Sequence, residues 1–110
     1  MSVEHAELAA GRWAKLSLLE QMANIGGEVE RAFLWRAKKN AEYSNKAAER
    51  ALELLDMSLA ATRDLPRLKE LTRTRETLVD HFFGANEFHS DEAGWRKHFS
   101  HFTLAVRKDR

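Results

Sequence analysis

The sequence predicts an all-α protein, with the architecture of an antiparallel four-helix bundle whose first helix is long. The 110 residues include one proline and five glycines, and Ala, Leu, Glu, Lys and Arg, which all favour helix, are abundant. No segment alternates apolar and polar residues with the two-residue period of a half-buried strand. The segments with helical periodicity are joined by short connections, which favours an up-down-up-down arrangement of helices.

The first helix is predicted to begin near residues 4–8 and to end at about residue 39. Two adjacent glycines, Gly26 and Gly27, interrupt its apolar pattern without changing the phase of that pattern. We therefore expect one continuous helix that a neighbouring helix approaches closely at Gly26. Apolar residues recur at helical spacing on both sides of the glycines: Leu18, Met22, Ile25, Val29 and Ala32.

The second helix is predicted to begin at Ser44 or Asn45, either of which is a suitable N-cap, and to end near Ala61. Its apolar residues form a broad face for burial. The first helix is longer than such a neighbour covers. It also carries a second apolar line that includes Trp13 and Leu16, so a second copy of the chain or another part of the same chain must cover this end. These two alternatives are equally compatible with the sequence.

The third and fourth helices have recognisable boundaries. Asp64 is a suitable N-cap for the third helix and Pro66 lies in its first turn, where a missing N–H is tolerated. We expect this helix to end at about Phe83, with Gly84 as a left-handed C-terminal residue. Ser90 is the predicted N-cap of the fourth helix, whose apolar stripe is expected to join the core: Trp95, Phe99, Phe102 and Val106.

Length and charge indicate a single domain, residues 1–110, with no strong electrostatic preference. The 18 basic and 17 acidic side chains give a formal net charge of +1, so no overall field attracts nucleic acid or an anionic membrane. The absence of cysteine excludes disulfides and thiol chemistry and fits a reducing compartment. No segment has the length or pattern of a membrane span or signal peptide. We therefore expect a cytoplasmic protein.

Two groups of polar residues suggest binding sites without completing one. Arg63, Arg67, Lys69 and Arg73 are interleaved with the acids Asp64 and Glu70, so we expect a solvated face rather than a nucleic-acid interface. Binding of nucleic acid is not expected, although a local basic patch would permit it. His98 and His101 are three residues apart, but two ligands do not form a metal site, so we expect surface histidines, no metal and no cofactor.

Arg75 is the most unusual position in the third helix. The spacing of Leu68, Leu71, Leu78 and Phe82 places it within the apolar face, where a guanidinium requires a paired carboxylate. One interpretation is an internal salt bridge with an acid on a neighbouring helix. The alternative is a cleft around Arg75 that binds a small anionic ligand, with Arg31 or Arg36 nearby. The candidate acidic partners are Glu28, Glu30, Glu53 and Asp56.

The segment RETLVDH, which begins at Arg75 and ends at His81, resembles the Arg-x(4–6)-His signature of HEPN domains. Many HEPN proteins are dimeric helical bundles that cleave RNA without a metal. The resemblance implies that Arg75 would steady a phosphate and His81 would assist proton transfer. However, Glu76 occupies the place of the polar residue that commonly follows the arginine in that family. In addition, His81 lies six residues beyond Arg75, about 240° around the helix.

A second resemblance covers most of the chain. The patterns NIG-x-EV-x-RA (residues 24–32), RALELLD (50–56) and LKEL-x-R-x-RE-x-L-x-D (68–80) are similar to those of small uncharacterised prokaryotic helical-bundle proteins. The resemblance implies a helical bundle and carries no established activity. It also implies that an internal network or cleft contains a shared set of polar residues: Glu28, Arg31, Arg75, Glu76 and Asp80.

The sequence favours a non-enzymatic protein that acts through protein–protein interaction, as a homodimer and with a further, unidentified protein partner. No complete catalytic, metal-binding or nucleotide-binding motif is present. A HEPN-like endoribonuclease that uses Arg75 and His81 is one alternative. Binding of a small anion around Arg75 is the other. The position of Arg75 relative to His81 and to solvent distinguishes these three hypotheses.

Overall fold

The computed structural model describes the backbone of residues 3–108 and the side chains of residues 9–108. These residues form five α-helices and no β-strand, which confirms the all-α prediction. The single long first helix is wrong, because two helices occupy its place. The helices are α1 (Val3–Ala14), α2 (Leu18–Ala37), α3 (Ala41–Ala61), α4 (Leu65–Phe83) and α5 (Glu92–Lys108).

The chain leaves the helical path at residues 15–17, where Ser17 starts a new helix. The Ser17 hydroxyl accepts a hydrogen bond from the Glu20 backbone N–H at 3.1 Å, and the Glu20 carboxylate accepts one from the Ser17 N–H at 3.3 Å. This reciprocal pair is a capping box, which satisfies two backbone N–H groups at the start of α2. The apolar period continues across the break, and for that reason the periodicity alone predicted one helix.

Helix α2 is the central element of the fold. It packs most extensively against α3 and also against α5, whereas α4 and α1 pack against α3. Ile25, Val29 and Phe33 of α2 are almost inaccessible, as are Leu55 of α3 and Leu78 of α4. One hydrophobic cluster contains residues from all five helices, including Trp13 of α1 and both Trp95 and Phe99 of α5. The expected burial of Trp95 and Phe99 is therefore confirmed.

A buried polar network attaches α1 to the rest of the molecule. The Trp13 indole N–H donates to the Ser58 hydroxyl at 2.8 Å, and this hydroxyl donates to the Gln21 side-chain oxygen at 2.8 Å. The Gln21 amide nitrogen donates to the backbone oxygens of Trp13 and Leu16, both at 3.1 Å. The network joins α1, α2 and α3, so the apolar line that includes Trp13 is covered within the same chain. The predicted overhang of a long first helix does not exist.

The start of α3 differs from the prediction. Asn40, rather than Ser44 or Asn45, caps it, because the Asn40 side-chain oxygen accepts from the Tyr43 backbone N–H at 3.0 Å. Ser44 is buried instead and donates its hydroxyl proton to the Ala32 carbonyl of α2 at 2.8 Å. The hydroxyl at residue 44 therefore contributes to helix packing instead of initiating a helix.

The boundaries of α4 agree with the prediction, apart from the geometry of its last residue. Asp64 accepts from the Arg67 backbone N–H at 3.1 Å as the N-cap, and the helix ends at Phe83. Gly84 has φ −108°, so it is not the expected left-handed residue. At the start of α5, the Asp91 carboxylate accepts from the Gly94 N–H at 2.7 Å, and thus performs the capping that was predicted for Ser90.

Candidate functional site

Arg75 lies at the edge of the buried face of α4 and not within that face. Its side chain is 37% exposed, and its Nε donates to the Asp56 carboxylate of α3 at 2.6 Å. This hydrogen bond raises the pKa of Arg75, although partial burial opposes the shift. Asp56 was among the predicted partners, but the predicted burial of Arg75 is wrong. Thr74 occupies the buried position, where its hydroxyl donates to the Glu70 carbonyl at 2.9 Å.

His81 lies at the opposite edge of the same buried face. Its ring packs edge-on against Phe33 of α2, with 5.8 Å between ring centroids, and its Nδ1 is 2.9 Å from the Ser90 hydroxyl. Its Nε2 is inaccessible and has no hydrogen-bond partner among the described residues. Arg75 therefore contacts α3 while His81 contacts α2 and the segment before α5. These contacts do not place the two side chains in a common site within one chain.

The other residues of the predicted polar cluster are divided among separate locations. Glu28 pairs with Arg31 at 3.4 Å and with Arg50 of α3 at 3.6 Å. Glu76 is exposed and has no ion-pair partner in the described part of the chain. Asp80 binds backbone N–H groups of the next loop. No ion pair or hydrogen bond between described residues joins Glu28 or Arg31 to the α4 members of the cluster.

Asp80 holds the first half of the loop between α4 and α5, residues 84–91, which we call the α4–α5 loop. Its backbone oxygen accepts from the N–H groups of Gly84 and Asn86, each at 3.1 Å. Its carboxylate accepts from the Glu87 N–H at 2.8 Å and from the Phe88 N–H at 3.0 Å. A single aspartate thus fixes four backbone N–H groups, which explains its position near the end of a helix followed by a tight loop.

Asn86 and Ser90 hold the second half of the α4–α5 loop. The Asn86 side-chain oxygen accepts from the Ser90 N–H at 3.1 Å, and its amide nitrogen donates to the Ser90 carbonyl at 3.0 Å. Asn86 and His89 have φ angles of 54° and 53°, a left-handed conformation that is uncommon for residues other than glycine. The hydrogen bonds at both ends of the loop stabilise this conformation.

The α4–α5 loop exposes a large aromatic side chain on this fixed backbone. Phe88 is 61% exposed, and Phe83, which precedes the loop in the last turn of α4, is 44% exposed. From its sequence, this segment was predicted only as a connection between helices. The asparagine and aspartate residues around Phe88 could have indicated an ordered loop, because such residues stabilise turns through hydrogen bonds from their side chains to the backbone.

The half-buried His98 contradicts the expectation of surface histidines, whereas His101 is exposed. The His98 ring packs against the rings of Trp95, Phe99 and Phe102 on α5. Burial lowers the pKa of His98; Glu70 of α4 opposes this shift, and His101 contributes to it. Among the residues that the structure describes, no three metal-binding side chains are grouped together.

The cleft between α2 and α3 contains Arg31 and Arg50, and not Arg75. It has a volume of about 390 Å³ and is also lined by the acids Glu28, Glu49 and Glu53. These opposite charges do not select an anion. The alternative of a small-anion site was centred on Arg75, which does not line this cleft.

None of the helices in the described part of the chain combines the length and apolar character needed to cross a membrane. Comparisons with protein-family models, with curated proteins and with solved structures found no match for this chain. The geometry of the molecule is therefore the basis for the functional proposal.

Proposed function

We propose that the protein acts by binding proteins rather than by catalysis, that it works in the cytoplasm as a homodimer, and that the α4–α5 loop is its contact surface. The observation that carries this proposal is the exposure of Phe88 on a loop whose backbone is fixed by Asp80 and Asn86. A further protein partner, bound elsewhere on the surface, remains part of the proposal.

A fixed loop favours binding for an energetic reason. Ordering a flexible segment at an interface costs conformational entropy, and a segment that is already ordered avoids this cost. Aromatic side chains that enter a partner surface contribute strongly to binding energy. Phe88 combines both properties, and Phe83 at the end of α4 enlarges the exposed apolar surface.

The argument for a homodimer now differs from the argument that the sequence suggested. The long first helix, which was expected to need a partner, is replaced by an α1 that packs on α3. The α4–α5 loop provides another basis, because a symmetric dimer uses the same surface of each copy. In such a dimer, Phe83 and Phe88 of both copies leave water together.

The experiment is a measurement of molar mass by light scattering over a range of protein concentrations. We expect the wild type to approach twice the mass of one chain and Phe88→Ser to remain monomeric at the same concentrations. Leu104→Ser is the matched control, because Leu104 is 54% exposed on α5, outside the loop, and we expect it to dimerise like the wild type. A monomeric wild type, or a Phe88→Ser variant that dimerises normally, would contradict the proposal.

The two alternative functions have less support. Asp56 engages the guanidinium of Arg75, and the Nε2 of His81 is inaccessible. A HEPN-like ribonuclease requires both groups to reach a ligand, and an anion-binding cleft requires the guanidinium of Arg75 to do so. Cleavage of single-stranded RNA without metal, lost on folded Arg75→Ala and His81→Ala variants, would favour the ribonuclease instead. Kinship with the small prokaryotic bundle proteins is likewise a proposal that rests on the three sequence patterns.

A further inference from the structure

A groove runs between α2 and α5. It has a volume of about 380 Å³, which lies within the range of pockets that bind small molecules. Its described lining residues all belong to these two helices, and its surface is mainly apolar. We call it the α2–α5 groove and define it by six of its lining residues: Gly27, Glu30, Phe33, Trp95, Arg96 and Phe99.

Three aromatic side chains line the α2–α5 groove. Phe33, Trp95 and Phe99 are all buried, so packing in the core fixes their positions. The rings of Trp95 and Phe99 are stacked, with 5.9 Å between their centroids and an angle of 20° between their planes. Aromatic rings pack favourably against another ring in offset or edge-on contact. A flat aromatic molecule therefore matches the surface that these rings provide.

Gly27 leaves space on the α2 side of the groove. Apart from the chain neighbours and the adjacent backbone of α2, no atom lies within 4 Å of a Cβ atom placed at residue 27. A Cβ atom placed at residue 26, in contrast, would meet Phe99 of α5. The two helices are thus in contact at Gly26 but not at the next residue. A large side chain at residue 27 would occupy the space that the glycine leaves.

The two charged residues that define the groove neutralise each other. The Arg96 Nε donates to the Glu30 carboxylate, at 2.9 Å from one oxygen and 3.2 Å from the other. The Arg96 guanidinium also lies over the Phe33 ring, 5.5 Å from its centroid. An anionic ligand would meet the Glu30 carboxylate, and a cationic ligand would meet a guanidinium that already occupies one face of Phe33. A neutral ligand meets neither obstacle.

We propose that the α2–α5 groove binds a neutral aromatic small molecule of one or two fused rings, which packs against Phe33, Trp95 and Phe99. The volume suits about a dozen non-hydrogen atoms at roughly 30 Å³ each. A helix of a protein partner, about 10–12 Å across, would reach the groove with only a side chain or two. The inference goes beyond the proposed function, because none of the described lining residues belongs to the α4–α5 loop.

The probes are quinoline, N-methylquinolinium and quinaldate, which carry the same two-ring system as a neutral molecule, a cation and an anion at neutral pH. The reporter is the indole N–H of Trp95, which has no hydrogen-bond partner among the described residues. The NMR spectrum of the isotope-labelled full chain contains one indole signal for each of the three tryptophans, and Trp95→Phe identifies the signal of Trp95.

We expect quinoline to shift the Trp95 signal until the site is saturated, because a bound aromatic ring changes the local magnetic field. The indole signal of Trp13, which is bonded to Ser58 outside the groove, should not move. We also expect quinoline to bind at least about five-fold more tightly than either charged probe, since a charge loses its hydration in an apolar groove. This comparison uses the wild type alone.

Gly27→Leu is expected to weaken quinoline binding by about ten-fold or more, because the leucine side chain takes the place of the ligand. Gly11→Leu is the matched control. It introduces the same side chain at a helical glycine of α1 that likewise has no atom within 4 Å of a Cβ, apart from its chain neighbours and the adjacent helix backbone. We expect it to retain wild-type affinity, and circular dichroism verifies that both variants are folded.

Three results would overturn this inference: no saturable shift of the Trp95 signal, equal or tighter binding of a charged probe, or wild-type affinity in folded Gly27→Leu. A wild-type dimer that ignores quinoline and is lost in Gly27→Leu would assign the groove to a second copy of the chain. Phe88→Ser leaves the groove intact and should bind quinoline even as a monomer. Failure of the proposed dimer and failure of this inference are therefore distinguishable.

Discussion

Gly26 of α2 lies directly against Phe99 of α5, so that a Cβ atom at residue 26 would be 2.7 Å from the Cβ atom of Phe99. The Phe99 Cβ cannot rotate away, because it is attached to the backbone of α5. We predict that Gly26→Ala lowers the free energy of unfolding by about 1–3 kcal/mol, since the helices must separate. Urea denaturation measures this change.

Gly27→Ala is the matched control for this prediction. Apart from the chain neighbours and the adjacent backbone of α2 itself, no atom lies within 4 Å of a Cβ at residue 27, so the new methyl group meets no obstacle. Replacing an exposed helical glycine by alanine is expected to raise the free energy of unfolding by up to about 1 kcal/mol. Equal effects of the two substitutions would show that α5 does not approach α2 closely at Gly26.

The Ser58 hydroxyl accepts a hydrogen bond from the Trp13 indole N–H and donates one to the Gln21 side-chain oxygen. Removing this hydroxyl leaves both groups without this partner. We predict that Ser58→Ala lowers the free energy of unfolding by about 2–4 kcal/mol, because each buried polar group left unsatisfied costs roughly 1–3 kcal/mol. Ser100→Ala is the control, because Ser100 is exposed on α5. Thermal denaturation measures the stability of both variants. A similarly small loss of stability in Ser58→Ala and Ser100→Ala would argue against the buried network.

The ion pair of Arg75 and Asp56 is expected to contribute little to stability, because both side chains are partly exposed. We predict an interaction energy of about 0–1 kcal/mol from a double-mutant cycle with Arg75→Gln and Asp56→Asn. Arg75→Leu should also leave the helical content of the protein unchanged. An interaction energy near the roughly 3–5 kcal/mol typical of disrupted buried pairs would instead identify Arg75 as a core residue.

His98 is expected to make the fold sensitive to acid. Burial lowers the pKa of His98 below its ordinary value of 6.5, so the unfolded chain binds the proton more readily than the folded chain. This contribution to stability is complete above pH 6.5 and decreases as the pH falls below that value, towards the lowered pKa of the folded state. We predict that His98→Phe loses less stability than the wild type between about pH 7.5 and pH 5, a range that spans the ordinary histidine pKa.

The control for the acid prediction is His89→Asn. His89 is exposed and has a positive φ, a conformation that asparagine tolerates well. We expect this variant to retain the wild-type dependence of unfolding free energy on pH. If His98→Phe and the wild type lost the same stability on acidification, protonation of His98 would not be the cause.

Local signals in the sequence predicted α4 correctly, since Asp64, Pro66 and the end at Phe83 are all determined by residues close in the chain. The break before α2 also had a local signal, the Ser17-x-x-Glu20 capping box, but continuous apolar periodicity obscured it. Asn40 follows the predicted end of the first helix at about residue 39, yet it is the N-cap of α3. Asparagine suits both ends, and the choice depends on how the neighbouring helices pack.

The functional residues were harder to predict because their roles depend on contacts between helices. Arg75 was placed in the core, but Thr74 occupies the buried position on α4 and Arg75 lies at its edge, where it pairs with Asp56 of α3. Asp80 was assigned to an internal polar network or cleft, whereas it holds the α4–α5 loop. The close approach at Gly26 was correctly predicted, because a glycine within an apolar stripe leaves room for the side chain of a neighbouring helix.

Distance measurement between spin labels tests the proposed contact surface most directly. The chain contains no cysteine, so single variants Ala85→Cys, in the α4–α5 loop, and Lys69→Cys, near the other end of α4, each carry one label per copy. We predict an intermolecular dipolar coupling at residue 85 and a longer distance, or no coupling, at residue 69. Coupling at residue 69 with none at residue 85 would contradict a homodimer formed through the α4–α5 loop.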